Sequence, residues 1–220
     1  MSRLVQRLTT MVVIGLGLFG LTLGLAIARF AALENEGPPT AAVNPMRRAM
    51  SYDPAKADSL RGWREAPGIR EASRSGYLAA ISASGQASPQ DVEAAARDVL
   101  LAAPTSSLHW AILAKARLER GAPLPEILTS IAMSRITGPH EEAALSMRTT
   151  LLLRLWERLP ASERAIAIDQ LITLRAGLDA VRHDQLRTMI ASMSAATRSE
   201  LKSMLAARGA DAPILEMFRL

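Results

Sequence analysis

The sequence predicts an all-α protein: one apolar helix able to cross a membrane, followed by a body of short helices packed on one another. Three observations carry this. Residues 8–28 read LTTMVVIGLGLFGLTLGLAIA, 21 positions without a charge. Beyond residue 50, prolines, glycines and serines punctuate stretches in which apolar residues recur three and four apart. No stretch alternates apolar and polar residues as a half-buried strand does.

The apolar run fits a bilayer by length. At about 1.5 Å per residue, its helix spans about 31 Å, the thickness of a hydrocarbon core. A cleaved signal peptide is the rival reading, with Arg3 and Arg7 as its basic end and Ala26, Ile27 and Ala28 as a cleavage site. The apolar core exceeds the usual signal length of about 7–15 residues, which favours a retained anchor. Arg3 and Arg7 precede the run, whereas Glu34 and Glu36 follow Arg29, and the next basic residue is Arg47. The positive-inside rule then puts the amino end in the cytoplasm and exports the body. Gly20, Gly24 and Ala28 stand four apart, a smooth face on which two copies of the helix would pair. The predicted organisation is an anchor over 1–32, a linker over 33–49 containing Gly37, Pro38 and Pro39, a helical domain over 50–210 and a tail over 211–220.

Within the body, a first helix is expected over 69–81. The next opens at Ser88, with Pro89 at its first position and Asp91 at its third, and buries Val92, Ala95, Ala96, Val99 and Ala103. A helix over 105–120 ends at Gly121, and Pro123 blocks its continuation. The row Leu124, Ile127, Leu128 and Ile131 predicts a helix over 124–136. After Gly138 and Pro139, a helix over 139–159 carries Ala144, Leu151 and Leu155, and Pro160 closes it. Ser162 is expected to cap a further helix with Ala165, Ile168 or Asp169, and Ile172 in register. Val181, Leu186, Met189, Ile190 and Met193 form another stripe. Thr197 and Glu200 read as a capping box for a last helix that buries Leu201, Met204 and Leu205 and ends at Gly209.

The segment PTSSLHWAILAKARLERGAP, residues 104–123, holds His109 beside Trp110. It is apolar on nearly every side from Leu108 to Ala114, as a helix covered on more than one face must be. His109 is therefore read as a packing or rim residue. Trp110, Leu113 and Ala114 match the first-helix signature of a tetratricopeptide repeat, with alanine in place of glycine. Leu108, Trp110, Leu113 and Ala114 are the expected repeat core. Arg117 departs from that pattern where an aromatic residue is usual, and Glu126 and Ser130 depart where the second helix carries alanine and phenylalanine. The body thus resembles a divergent tetratricopeptide-like array.

Formal charge excludes one large class of partner. The chain is +5, but Arg3, Arg7 and Arg29 flank the apolar run, and the remainder holds 23 basic against 21 acidic residues. That mixed surface lacks the concentrated positive stripe that nucleic acid requires. There is no cysteine, so thiol catalysis, disulfides and thiolate metal sites are excluded. Arginine outnumbers lysine 23 to 3 and alanine is abundant, a composition typical of GC-rich bacterial genes.

Motifs for chemistry are lacking. His140, Glu141 and Glu142 do not continue to a second histidine, because position 144 is alanine, and carboxylates behind Pro139 suit a helix start. His109, His140 and His183 are too far apart to form a local ligand set. GLGLFG lies inside the apolar run with no strand before it. The methionines at 133, 147, 189, 193 and 204 have the spacing of core filler. No catalytic, cofactor-binding or metal-ligating residue is assigned, and no cofactor is expected.

One anchor plus an exported helical body is similar to the small membrane proteins that accompany surface-polysaccharide assembly in Gram-negative bacteria. PTSSLHWAILAKARLERG and AMSRITGPHEEAALSMRTTLLLRLWERLP look like helical segments of that group. The resemblance covers about residues 100–160. It implies a bacterial inner-membrane location, a periplasmic body, an accessory or scaffold role beside exopolysaccharide or O-antigen machinery, and envelope proteins as partners. The competing expectations are an envelope glycan hydrolase or lyase working through two carboxylates on distant helices, and an assembly factor for another membrane complex.

Overall fold

The computed structural model describes residues 22, 24, 25, 71–85, 87–174, 180–210, 215, 216 and 218, and every regular element among them is helical. The chain divides into two compact units, Met1–Asp53 and Pro54–Leu220. In the first, Thr22, Gly24 and Leu25 are helical and exposed. The rest of the expected anchor, including Gly20 and Ala28, lies outside the described residues, as does the 33–49 linker. Among the described residues no helix is long and apolar enough to cross a membrane.

The second unit contains α1 (Glu71–Ser84), α2 (Pro89–Ala102), α3 (Ser107–Glu119), α4 (Leu124–Thr137), α5 (Glu142–Arg154), a 3-10 turn (Trp156–Arg158), α6 (Ala161–Leu174), α7 (Ala180–Ser192) and α8 (Ala195–Ala207). Local chemistry accounts for most of the ends. Ser88 Oγ accepts the Asp91 N–H at 3.1 Å and donates to the Asp91 carboxylate at 2.8 Å, closing the N-terminus of α2. Gly121 and Gly209 take φ of +78° and +75°, conformations that glycine adopts without strain. The following N–H groups then reach back, Ala122 to Arg117 O at 2.9 Å and Ala210 to Leu205 O at 3.0 Å, satisfying carbonyls that the helix ends leave open.

Consecutive helices from α1 to α6 pack on one another. α3 lies against α2 and α4, and also against α5; α5 lies against α6 and α7, and α8 lies on α6. The apolar interior forms two clusters that meet at α3. Tyr77, Leu78 and Ile81 of α1 pack with Val92, Val99 and Leu100 of α2 and with Ile112, Leu113 and Ala116 of α3. Ala114 turns to the other cluster, with Ile127 and Ile131 of α4, Leu145, Leu151, Leu152 and Leu153 of α5, Trp156 and buried residues of α6, α7 and α8. α3 is apolar nearly all round because it belongs to both. Met147 touches both clusters, the gap-filling use expected of methionine.

Several expectations need correction. The helix expected over 139–159 starts at Glu142 and stops at Arg154. Pro139 and His140 form a turn whose carbonyls face α5, and the chain tightens after Leu155 so that Leu155, Trp156 and Leu159 all enter the core. Ser162 lies inside α6, which begins at Ala161. α6 buries Ala167, Ile168, Leu171 and Leu174, whereas Asp169 points outward to pair with Arg208. α8 starts before Thr197: Ser194 is its N-cap and accepts the Thr197 N–H at 3.1 Å. Glu200 is drawn to Trp156 and Arg164 instead of reaching back as a cap. At the carboxyl end, Phe218 is 1% exposed and its ring lies 6.0 Å from that of His183, so Phe218 belongs to the core, with Leu215 packed against it.

Gly138 is required by close approach, since its φ of −161° is ordinary extended backbone. A Cβ there would stand 2.6 Å from Ser107 Cβ and 2.9 Å from Ser107 Oγ. Gly138→Ala is therefore expected to lower stability by about 1–3 kcal/mol in urea unfolding. An unchanged midpoint would mean that the start of α3 and the end of α4 yield freely.

Candidate functional site

Three polar nodes hold the helices in place, and each uses arginine. In the first, Glu93 of α2 is buried with 6% exposure. It receives Arg97 at 2.8 Å, Arg117 Nε at 3.3 Å and a two-pronged contact from Arg120. Arg120 also donates to Glu126 at 2.8 Å. Burial alone would push the Glu93 carboxyl up; the hydrogen bonds from Arg120 and Arg117, with the charges of Arg120 and Arg97, outweigh it and hold the group below the ordinary carboxylate range.

Arg117 continues across to α4, where its Nη1 donates to Glu126 O at 2.9 Å and to Ser130 Oγ at 2.7 Å. These are the three positions that depart from the tetratricopeptide pattern. Where a tetratricopeptide signature carries an aromatic residue, Arg117 makes a polar contact between α3 and α4.

The second node centres on Arg148 of α5, which has no exposed surface. Its Nη1 donates to Ser107 Oγ at 3.1 Å, to Ser134 O and Oγ at 3.0 Å each, and to Gly138 O at 3.2 Å, while Nη2 reaches Pro139 O at 3.0 Å. The guanidinium thus sits on the carbonyls at the end of α4, where a cation complements the helix dipole. Ser134 Oγ in turn donates to Ser107 O at 2.6 Å. Among the described residues no carboxylate bonds to the group. Burial lowers its pKa to about 10, partly countered by the charge of Glu141, so it stays protonated at neutral pH.

In the third node, Glu200 of α8 accepts Trp156 Nε1 at 2.9 Å and Arg164 Nη1 at 2.7 Å. The Trp156 hydrogen bond, helped by Arg164, holds the Glu200 carboxyl below its ordinary value. Arg164 also donates to Trp156 O at 3.1 Å and stacks 5.9 Å from the indole centroid. Arg198 performs a similar service at the end of α7, donating to Ala191 O at 3.1 Å and Met193 O at 2.6 Å. The arginine richness that reads as genome composition has a structural use here: planar donors satisfy several carbonyls at once.

Beside the third node, a surface pocket of about 290 Å3 opens between the 3-10 turn, α7 and the start of α8. Buried Leu153 and Leu155 and half-buried Met189 and Met193 form its apolar part, with exposed Arg154, Glu157 and Arg158 among its lining residues.

The remaining residues singled out by sequence are structural in their contacts. Leu113 and Ala114 are buried, and Leu108 and Trp110 pack half-buried on the first cluster. Trp110 Nε1 donates to Pro104 O at 2.7 Å, fixing the loop that enters α3. His109 Nδ1 lies 2.7 Å from Ser106 Oγ at the start of α3, His140 is in an exposed turn, and His183 packs near Phe218. Among the described residues no three His, Asp or Glu side chains stand close enough to hold a metal ion. Sequence reasoning missed Arg148, although a basic residue within the apolar run ALSMRTTLLL was a usable signal. It also missed the pocket, which residues of α5, the 3-10 turn, α7 and α8 create together.

Comparison of the chain with protein-family models, curated proteins and solved structures yields no match.

Proposed function

We propose that the chain is a single-pass protein of the bacterial inner membrane whose periplasmic body is a tetratricopeptide-like adaptor. It binds other envelope proteins and serves as an accessory to exopolysaccharide or O-antigen assembly. The observation that carries the adaptor reading is the spacing of the helices. α1, α3, α5 and α7 begin at residues 71, 107, 142 and 180, in steps of 36, 35 and 38; α2, α4, α6 and α8 begin at 89, 124, 161 and 195, in steps of 35, 37 and 34. A tetratricopeptide repeat is about 34 residues long. The packing of α3 on α5 and of α6 on α8 suits stacked helix pairs, and the contact of Arg117 with Glu126 and Ser130 ties the two helices of one such pair. Stacked pairs present extended surfaces to partners. The membrane reading rests on the uncharged run 8–28 and the charges that flank it, and the pathway rests on the resemblance of residues 100–160.

Both parts have a direct test. A reporter enzyme that works only outside the cytoplasm, fused after Leu220, is expected to be active, and a cytoplasmic reporter silent; the reverse pattern overturns the orientation. The chain has no cysteine, so Gln90→Cys or Ser199→Cys at exposed positions gives one attachment point for a crosslinker. Crosslinking in intact cells is expected to yield a discrete adduct with an envelope assembly protein. Cells that yield no adduct from either position would remove the adaptor reading.

A further inference from the structure

Resting on the adaptor reading, we infer that the pocket beside the 3-10 turn receives an acidic peptide segment of a partner protein. One apolar side chain lodges between Met189 and Met193, and neighbouring carboxylates pair with Arg154 and Arg158.

Three features lead to this occupant. The first is unused charge. Among the arginines whose side chains are described, Arg154 and Arg158 make no side-chain hydrogen bond or ion pair with the described residues. Each of the others is engaged: Arg74, Arg148, Arg164 and Arg198 on carbonyls, and Arg97, Arg117, Arg120, Arg135, Arg187 and Arg208 on carboxylates. The two unengaged guanidinium groups flank one pocket, at the end of α5 and the end of the 3-10 turn. An Arg guanidinium presents a planar fork that matches a carboxylate.

The second feature is the apolar part of the pocket. Met189 and Met193 are four residues apart on the chain and half-buried, over a floor of Leu153 and Leu155 at 2% exposure each. Methionines adapt to the shape of an inserted side chain, as at surfaces that bind varied peptides. The third is size and sign. At about 290 Å3, the pocket has room for one inserted side chain. Glu157, the acid in the lining, already accepts Thr197 Oγ1 at 3.3 Å.

The test uses the purified full chain in detergent micelles and fluorescein-labelled decapeptides with a central Leu, Phe or Met flanked on each side by two Glu or Asp. Anisotropy is expected to report binding that weakens as salt rises past about 0.15 M. Binding is expected to drop about tenfold in an Arg154→Glu, Arg158→Glu double variant. It is also expected to drop when the central residue is Ala or the flanking acids are Lys. Both arginines are exposed, so the double variant should fold. Absence of peptide binding, or equal binding of the peptides to the double variant, overturns the proposal. Envelope adducts of Gln90→Cys or Ser199→Cys that persist undiminished when the double substitution is added overturn the pocket assignment alone and leave the adaptor reading intact, whereas absence of adducts from both cysteine variants with the pocket intact removes that reading itself.

Discussion

Replacing Arg148 by alanine is expected to destabilise the body by about 3–5 kcal/mol in urea unfolding, the largest effect of any single substitution considered. The group has no exposed surface and bonds Ser107, Ser134, Gly138 and Pro139, residues of α3, of α4 and of the turn into α5. Its removal leaves those carbonyls and hydroxyls buried without their donor, at about 1–3 kcal/mol for each that water fails to reach. A cavity adds to the loss. Arg148→Met separates the two contributions, since it restores most of the volume and none of the donors. If Arg148→Met proves as stable as the unaltered chain, the polar node contributes nothing and the account fails.

Glu93→Gln is expected to remove about 2–3 kcal/mol at pH 7, because hydrogen bonds to a charged group exceed those to a neutral amide. The effect should depend on pH. The folded carboxyl is held below its ordinary value of 4.5, mainly by Arg120 and Arg117 acting against burial. Its stabilisation is thus fully present above that value and disappears as pH falls through the lower folded value. Thermal unfolding from pH 7 downward should show the unaltered chain and Glu93→Gln converging in acid. Glu200 is shifted in the same direction by Trp156 and Arg164, so Glu93→Gln should retain some acid sensitivity that a double variant with Glu200→Gln loses. A gap between the chain and Glu93→Gln that stays constant down to about pH 3 would show that the Glu93 charge is not what the node uses.

The two nodes differ in how far the sequence revealed them. Arg117, Glu126 and Ser130 stood out as departures from a repeat pattern, and the structure joins all three in one set of contacts. Arg148 went unremarked in an apolar stretch, because a local reading sees a cation in a helix and not the carbonyls that approach it. Glu200 was misassigned for a related reason: its spacing from Thr197 mimics a capping box, but Trp156 and Arg164 compete for the carboxylate and win. In α6, Ile168 and Asp169 were equally good candidates for the inner face by spacing. Packing on α5 and α8 decided for Ile168.

What the chain's local chemistry settles unaided is the helical class, the stops at Gly121 and Gly209, the start at Ser88 and Pro89, and the two-sided apolar character of α3. These depend on φ preferences, caps and periodicity within a few residues, so they are written where they act. The partners of Arg148, Glu93 and Glu200, the break after Arg154 and the pocket with its two unengaged arginines arise only on packing. Their contacts join residues as far as 44 positions apart, and the identity of a neighbour at that separation is fixed by how helices stack, a property that no short window of sequence contains.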